Sequence, residues 1–309
     1  MSFSCAPVVL LLFRRPGLTS QVFERIREAR PSVLFLVADG PREDSNSDRD
    51  LALSTRAVVA EVDWECQVHR IYSDSNLGLK RRVSSGLDEV FSSVDSAIIL
   101  EDDCVPDPSF FHYATELLAR YQDEPLVGTI AGTSRVRGAM PSPFSYDFSP
   151  DLRIWGWATW ARTWNGFRLS GDLDRVWSAP EGDELVSLLT GGRKISVRRM
   201  LNSSHALDSW ALPFLAHVMS RRYLHAVPET NLVENIGFGG ESTHTKFESF
   251  VEQVPAERLT MPLRHPPAVI ANDELDRREA REDLRFAIRY ALSHPWRVLT
   301  RIIRYLRLR

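Results

Sequence analysis

Short apolar runs alternate with segments of helical period through the first hundred residues. Pro7–Phe13 is a continuous apolar run closed by Arg14-Arg15-Pro16-Gly17, a breaker and turn. Thr19 is placed to cap a helix running to about Ala29, with Val22, Phe23 and Ile26 on one face. A second strand is predicted over Val33–Ala38, ending in Asp39-Gly40-Pro41, and the polar stretch Glu43–Asp50 reads as a loop before a helix over Leu51–Val59. Gln67–Ile71 predicts a third strand, Ser73–Gly78 a turn, Leu79–Phe91 a helix and Ala97–Leu100 a fourth strand. This rhythm implies an α/β fold: a mostly parallel sheet with helices on both faces. Beyond it, Phe110–Tyr121 reads as a helix and Leu126–Ala131 as another strand.

The fourth run ends abruptly in Glu101-Asp102-Asp103. Three adjacent carboxylates repel one another unless positive charge sits among them. The carboxyl end of a strand in an open α/β sheet is also where ligands bind. A divalent cation with oxygen ligands, bridging to phosphates, resolves both points, and Mn²⁺ or Mg²⁺ suits such donors better than zinc. The plain structural alternative is a solvated turn after a strand.

Arg14, Asp39, Asp74 and Asn76 follow other strands and are expected at the same sheet edge, as a mononucleotide pocket requires. No Gly-x-Gly-x-x-Gly follows the first strand and no Walker loop occurs, which disfavours a dinucleotide-binding fold. The segment Trp155-Gly156-Trp157-Ala158-Thr159-Trp160, with Trp164, has two readings: an aromatic core plug, or a wall that stacks on sugar faces. Asp208, in Leu207-Asp208-Ser209-Trp210, is a carboxylate among apolar neighbours, fit either to cap a helix or to work in a cleft. The run Asn231–Thr245 carries three glycines and His244 and reads as a loop able to close over a ligand.

At 309 residues, 43% apolar and 26% charged, the chain suffices for a large core, and a net charge of −3 argues against a general nucleic-acid binder. Cys5, Cys66 and Cys104 are too few and scattered for a disulfide framework, and no Cys/His cluster has zinc spacing. Val8–Phe13 is too short for a signal core or membrane span, so a cytoplasmic location is expected. From Arg285 to Arg309 there are seven arginines and no acid. Helical projection groups Arg297, Arg301 and Arg304 largely opposite Leu299, Ile302 and Leu306, which fits docking at an anionic inner membrane surface as well as it fits a terminal helix packed on its own domain.

These ordered motifs resemble GT-A nucleotide-sugar glycosyltransferases over roughly residues 5–250, and the Glu-Asp-Asp triplet is similar to that of the N-acetylglucosaminyltransferase I type. The resemblance implies a nucleotide-binding half over residues 1–125, an acceptor half of the same domain over 126–260 and a helical tail over 261–309. It implies that Arg14 and Asp39 contact the nucleotide, that Lys80, Arg81 or Arg82 approaches the pyrophosphate, and that Asp103 holds the metal while Asp102 and Glu101 contact ribose and donor sugar. Gly156-Trp157 matches a Gly-Trp segment of that family, and Trp210 and His244 complete the expected donor side. Asp208 stands where the family has its base, but Leu207-Asp208-Ser209-Trp210 lacks the first Trp and second Asp of the family's Trp-Asp-Asp-Trp, which leaves Glu234 and Glu241 as other bases. The implied activity is sugar transfer from a nucleotide sugar to a hydroxyl, and the resemblance carries over neither donor nor acceptor. Asp39, fit to accept from a pyrimidine N–H, makes a UDP-sugar the expected donor, and a glycan or lipid-linked acceptor is expected. A binding protein without turnover and a sugar nucleotidyltransferase are the other readings.

Overall fold

The computed structural model describes residues 3–43, 45–135, 142–167, 189, 209–237, 254–293 and 295–296. Strand β1 (Val8–Leu12) is flanked in parallel by β2 (Val33–Ala38) and β4 (Ser96–Glu101), and β3 (Gln67–Tyr72) extends the sheet beyond β2. All of β1 is buried because both faces of the sheet are covered, which is why its sequence is continuously apolar rather than alternating. Past β4 the sheet becomes mixed. β8 (Trp157–Trp160) runs antiparallel between β4 and β6 (Val127–Ala131), and β9 (Leu224–Pro228) and β7 (Tyr146–Ser149) complete eight strands in the order β3-β2-β1-β4-β8-β6-β9-β7. The expected α/β class, a mostly parallel central sheet flanked by helices, is the one this chain adopts.

On one face, α1 (Pro16–Ala29) and α4 (Pro108–Arg120) bring Val22, Phe23, Ile26, Phe110, Phe111 and Leu117 against Val8, Leu10 and Leu36. On the other, α3 (Leu79–Ser93), the short α5 (Ala161–Trp164) and α6 (Ala211–Ser220) bring Val83, Leu87, Trp164 and Phe214 against Val9, Leu11 and Val37. Two further strands, β5 (Cys104–Pro106) and β10 (Val233–Asn235), form a small antiparallel sheet just beyond the acidic triplet.

Several boundaries differ from the sequence expectation, the helix starts for capping reasons. α1 begins at Pro16 rather than Thr19, since proline suits the first helical turn, and the Thr19 hydroxyl donates to the Arg15 carbonyl inside it. α2 spans Asn46–Val58 because Ser45 Oγ accepts from Asp48 N, so part of the supposed loop is the first turn of a helix. β4 runs one residue farther and takes in Glu101. The last described helix, α7 (Asp273–Ser293), is fixed by its first turns: Ser149 Oγ donates to Asp276 Oδ1 at 2.6 Å, and Arg153 pairs with Glu279 in the interior.

Candidate functional site

Strands β1 and β4 run parallel with Leu11 opposite Glu101, so the residues after each strand arrive side by side. Phe13 N donates to Asp102 Oδ2 at 3.1 Å, and Arg15 N turns back on the Phe13 carbonyl at 2.6 Å. That tight turn aims the Arg15 guanidinium at the acids: Nη2 lies 2.5 Å from Asp102 Oδ1, and Nη1 lies 2.7 Å from Asp103 Oδ2. The positive charge that three adjacent acids demand is thus supplied by the chain itself.

One guanidinium does not balance three carboxylates. Burial first, then Asp103 and Asp102, push the Glu101 carboxyl up from 4.5 to about 8, with Arg15 opposing. Burial likewise lifts Asp102 from 3.8 to about 6 although Arg15 pulls it down. Burial works against the Arg15 charge, but Asp102 and Asp103 outweigh it and hold the guanidinium above its ordinary range. Cys104, buried beside Asp103, has its thiol pushed well up by burial and the neighbouring acids, so it is not a thiolate ligand.

The segment after β10 closes on the same acids. Asn235 pairs with Cys104, and Ile236 N donates to the Asp103 carbonyl at 2.8 Å. Gly237 lies so close that any Cβ there would overlap Asp103 Oδ2. The described part of the expected loop, residues 231–237, thus reaches the acid edge and is strand β10 over Val233–Asn235; residues 238–245, with His244 and Glu241, lie outside the described residues. Asp208 lies outside them too. Glu234, in β10 opposite Val105, is half-buried.

Other expected residues take different work. Arg14 turns away and donates to Asp48 Oδ1 at 2.5 Å; Asp48 is buried and held below the usual carboxylate range by hydrogen bonds from Arg42 and Arg14. Asp39 brackets a loop: it accepts from Gly40 N and Leu77 N at 2.9 Å, Gly78 N at 3.0 Å and Asn76 Nδ2 at 3.2 Å. A carboxylate offers about four lone-pair positions, and the chain's own donors occupy them, so Asp39 fastens the start of α3. The two loops touch so closely that a Cβ on Gly40 would sit 2.5 Å from the Ser75 carbonyl carbon.

Lys80, half-buried, and Arg81, exposed, stand in the first turn of α3, which Asp39 positions. Arg82 points inward; burial lowers its pKa against the pull of Asp39 and Glu89, and its Nε has no hydrogen-bond partner among the described residues.

Trp157, Trp160, Trp164 and Trp210 settle in favour of a core plug, while Trp155 is half-buried. Trp157 and Trp210 are buried and stacked at 5.8 Å, with Trp164, Phe167 and Phe214 around them, so neither presents a face to a sugar. Gly156, at φ +62°, serves close packing: its carbonyl accepts from Gly132 N at 2.7 Å, and a Cβ would meet Val233 Cγ2 at 2.6 Å.

The residues that sequence reading missed are Arg15 and Gly237. The excess of acid over base at 101–103 was a signal for a cationic partner, but nothing local distinguishes Arg15 from Arg14. Among the described residues no group of three or more His, Cys, Asp or Glu side chains is arranged to hold a metal ion by itself.

No protein-family model matches the chain, and no curated protein sequence matches it. Among solved structures it is similar to a UDP-glucose pyrophosphorylase complexed with UDP-glucose, at 11% identity and TM-score 0.40, covering 75% of this chain and 93% of that one. It is also similar to a mannosyltransferase from Pyrobaculum calidifontis in complex with GDP-Man and Mn²⁺, at 12% identity and TM-score 0.35, covering 71% and 75%. A 4-diphosphocytidyl-2C-methyl-D-erythritol synthase from Anaerococcus prevotii DSM 20548 matches at 10% identity and TM-score 0.35, covering 58% and 84%.

Proposed function

We propose that this protein is a metal-assisted glycosyltransferase, moving a sugar from a nucleoside-diphosphate donor, a UDP-sugar by preference, to a hydroxyl of a glycan or lipid-linked acceptor. The observation that carries the reading is the Arg15–Asp102–Asp103 cluster where β1 and β4 end side by side. A diphosphate there would meet Arg15, with Lys80 and Arg81 and the backbone N–H groups opening α3 as the further cationic side of the pocket.

A divalent cation fits the donor set. Mg²⁺-like ions are held by one or two carboxylates with substrate phosphates and water completing the shell. A cation here would favour the ionised forms of Glu101 and Asp102, which burial and the neighbouring acids oppose and Arg15 only partly supports. Asp103 would hold it, with Asp102 beside it, and Mn²⁺ or Mg²⁺ supplies Lewis-acid charge to the departing nucleoside diphosphate when bound. Asp102, held by Phe13 N and Arg15, keeps the strand ends in register for donor ribose, and Glu101 faces the donor sugar. Asp208, two positions before the core-anchored Trp210 in sequence, is assigned the base that takes the acceptor proton in an inverting transfer.

A sugar nucleotidyltransferase is the second reading: the guanidinium that the turn after β1 delivers would serve equally to offset the charge of a nucleoside triphosphate. Product analysis separates the two. Nucleoside diphosphate released from UDP-, GDP- or dTDP-sugars, or nucleoside monophosphate from CMP-sugars, and lost on chelation or in Asp103→Ala, supports sugar transfer. Pyrophosphate released from UTP with a sugar 1-phosphate supports the second reading. Neither product, with nucleotide-sugar binding intact, leaves a binding protein.

A further inference from the structure

Helix α7 has two unlike halves. The first is docked: Leu275, Asp276 and Glu279 are buried, and its exposed charges pair within the helix, Arg277 with Glu274 at 3.3 Å. From Leu284 onward, large apolar side chains stand in solvent at every fourth position. Leu284 is 61% exposed, Ile288 51% and Leu292 78%, and Trp296, helical too, is 77% exposed. Isolated exposed leucines are ordinary, but an apolar line rimmed by charge marks an interaction surface. In a regular helix positions 284, 288 and 292 fall within about 80° of one another, and Arg285 lies at the margin of that sector.

We infer that α7 beyond Leu284 is a membrane-docking element whose apolar line enters the acyl boundary of an anionic bilayer while its arginines meet lipid phosphates. Charge selects this occupant. Asp283 is the last acid in the chain, and residues 285–309 add seven arginines. A second copy of the chain would bring a like-charged segment to the same face and be repelled. An anionic lipid surface accepts both features at once, because arginine stems cover apolar surface while their heads reach phosphate. No described helix is long and apolar enough to cross a membrane, and a helix lying at the interface needs no such length. The inference is independent of the chemistry at the acid edge.

Co-sedimentation of the full-length protein with vesicles tests it, using phosphatidylcholine alone and phosphatidylcholine with phosphatidylglycerol. The protein should pellet with the anionic vesicles, and less so as salt shortens the screening length to about 3 Å near 1 M. Leu284→Glu/Ile288→Glu/Leu292→Glu should lower the partition by at least about ten-fold while thermal unfolding stays unchanged, since these side chains touch solvent in the folded protein. Arg285→Gln/Arg289→Gln keeps the apolar line and should bind anionic vesicles roughly ten-fold more weakly, which decides the matter if the triple variant folds poorly. A parent protein that ignores anionic vesicles, variants that pellet as the parent does, or a parent dimer that the triple variant dissociates without any vesicle binding would each overturn it.

Discussion

Arg15 Nη1 donates to Asp103 Oδ2 at 2.7 Å, across 88 positions of sequence. The contact ties the end of β1 to the end of β4 and places a cation where the acidic triplet needs one. An entering divalent ion competes with Arg15 for the carboxylates, whereas an entering diphosphate competes with the carboxylates for Arg15. The pair is therefore poised between the two components of a metal–diphosphate ligand.

Removing that cation should be costly. Arg15→Met keeps most of the side-chain volume but leaves Asp102 and Asp103 buried without their counter-ion, which should destabilise the fold by about 3 kcal/mol. Manganese should restore part of the loss by replacing the missing charge. Urea unfolding with and without Mn²⁺ reads both effects, and equal stability of variant and parent would mean that the ion pair does not hold the strand ends.

The raised acids make stability depend on pH with a definite sign. Each binds its proton more tightly folded than unfolded, so the folded state carries more protons and stability falls as pH rises. Asp102 acts between its ordinary 3.8 and about 6, and Glu101 between 4.5 and about 8. In chelated buffer, Glu101→Gln should flatten the decline in melting temperature between pH 6 and 8, above the range of Asp102. His225, lowered by burial from 6.5 to about 3, acts with the opposite sign at the lower end of that span but does so equally in parent and variant. A variant slope as steep as that of the parent would place the buried charge elsewhere.

Gly237 has no room for a side chain. Gly237→Ala would drive a methyl group into Asp103 Oδ2, a short side chain already tied to Arg15, so either the acid or the loop must move. Calorimetry should show metal-dependent nucleotide-sugar binding weakened by at least about ten-fold, with lesser change in metal-free binding. Unchanged affinity in the variant would show that the loop swings away from Asp103 when ligand binds.

Asp39 is expected to act through the loop it gathers. Asp39→Ala strips acceptors from Gly40 N, Leu77 N and Gly78 N and should cost about 3 kcal/mol, while Asp39→Asn, which keeps one oxygen, should cost less. Amide exchange at residues 76–78 should quicken in the alanine variant. Slow exchange there, together with lost nucleotide affinity, would instead return Asp39 to direct contact with the base.

Periodicity along the chain determined the elements. Val33–Ala38 is a strand at the expected bounds, and β1, β4 and β6 lie within a residue or so of theirs, because burial on both faces of a sheet leaves an unbroken apolar run. β3, a largely uncovered edge strand of mixed sequence, starts at the expected Gln67 and runs one residue past Ile71. The acidic triplet at the end of β4 was legible for the same reason: a strand end is where such a run stops. Helix starts were less so, since Pro16 and Ser45 act through capping geometry that apolar spacing does not encode.

Tertiary structure decided which polar side chains meet. Arg14 and Arg15 are the same residue type one position apart, yet a 2.6 Å backbone turn sends Arg15 to Asp102 and Asp103 and Arg14 to Asp48. Asp39 is filled by donors 37 to 39 positions away, and Trp157 stacks on Trp210 from across the core. Burial is a property each residue's neighbours in sequence can announce. Hydrogen bonds and ion pairs depend on separations of about 3 Å, and only the register of strands, turns and helices sets those.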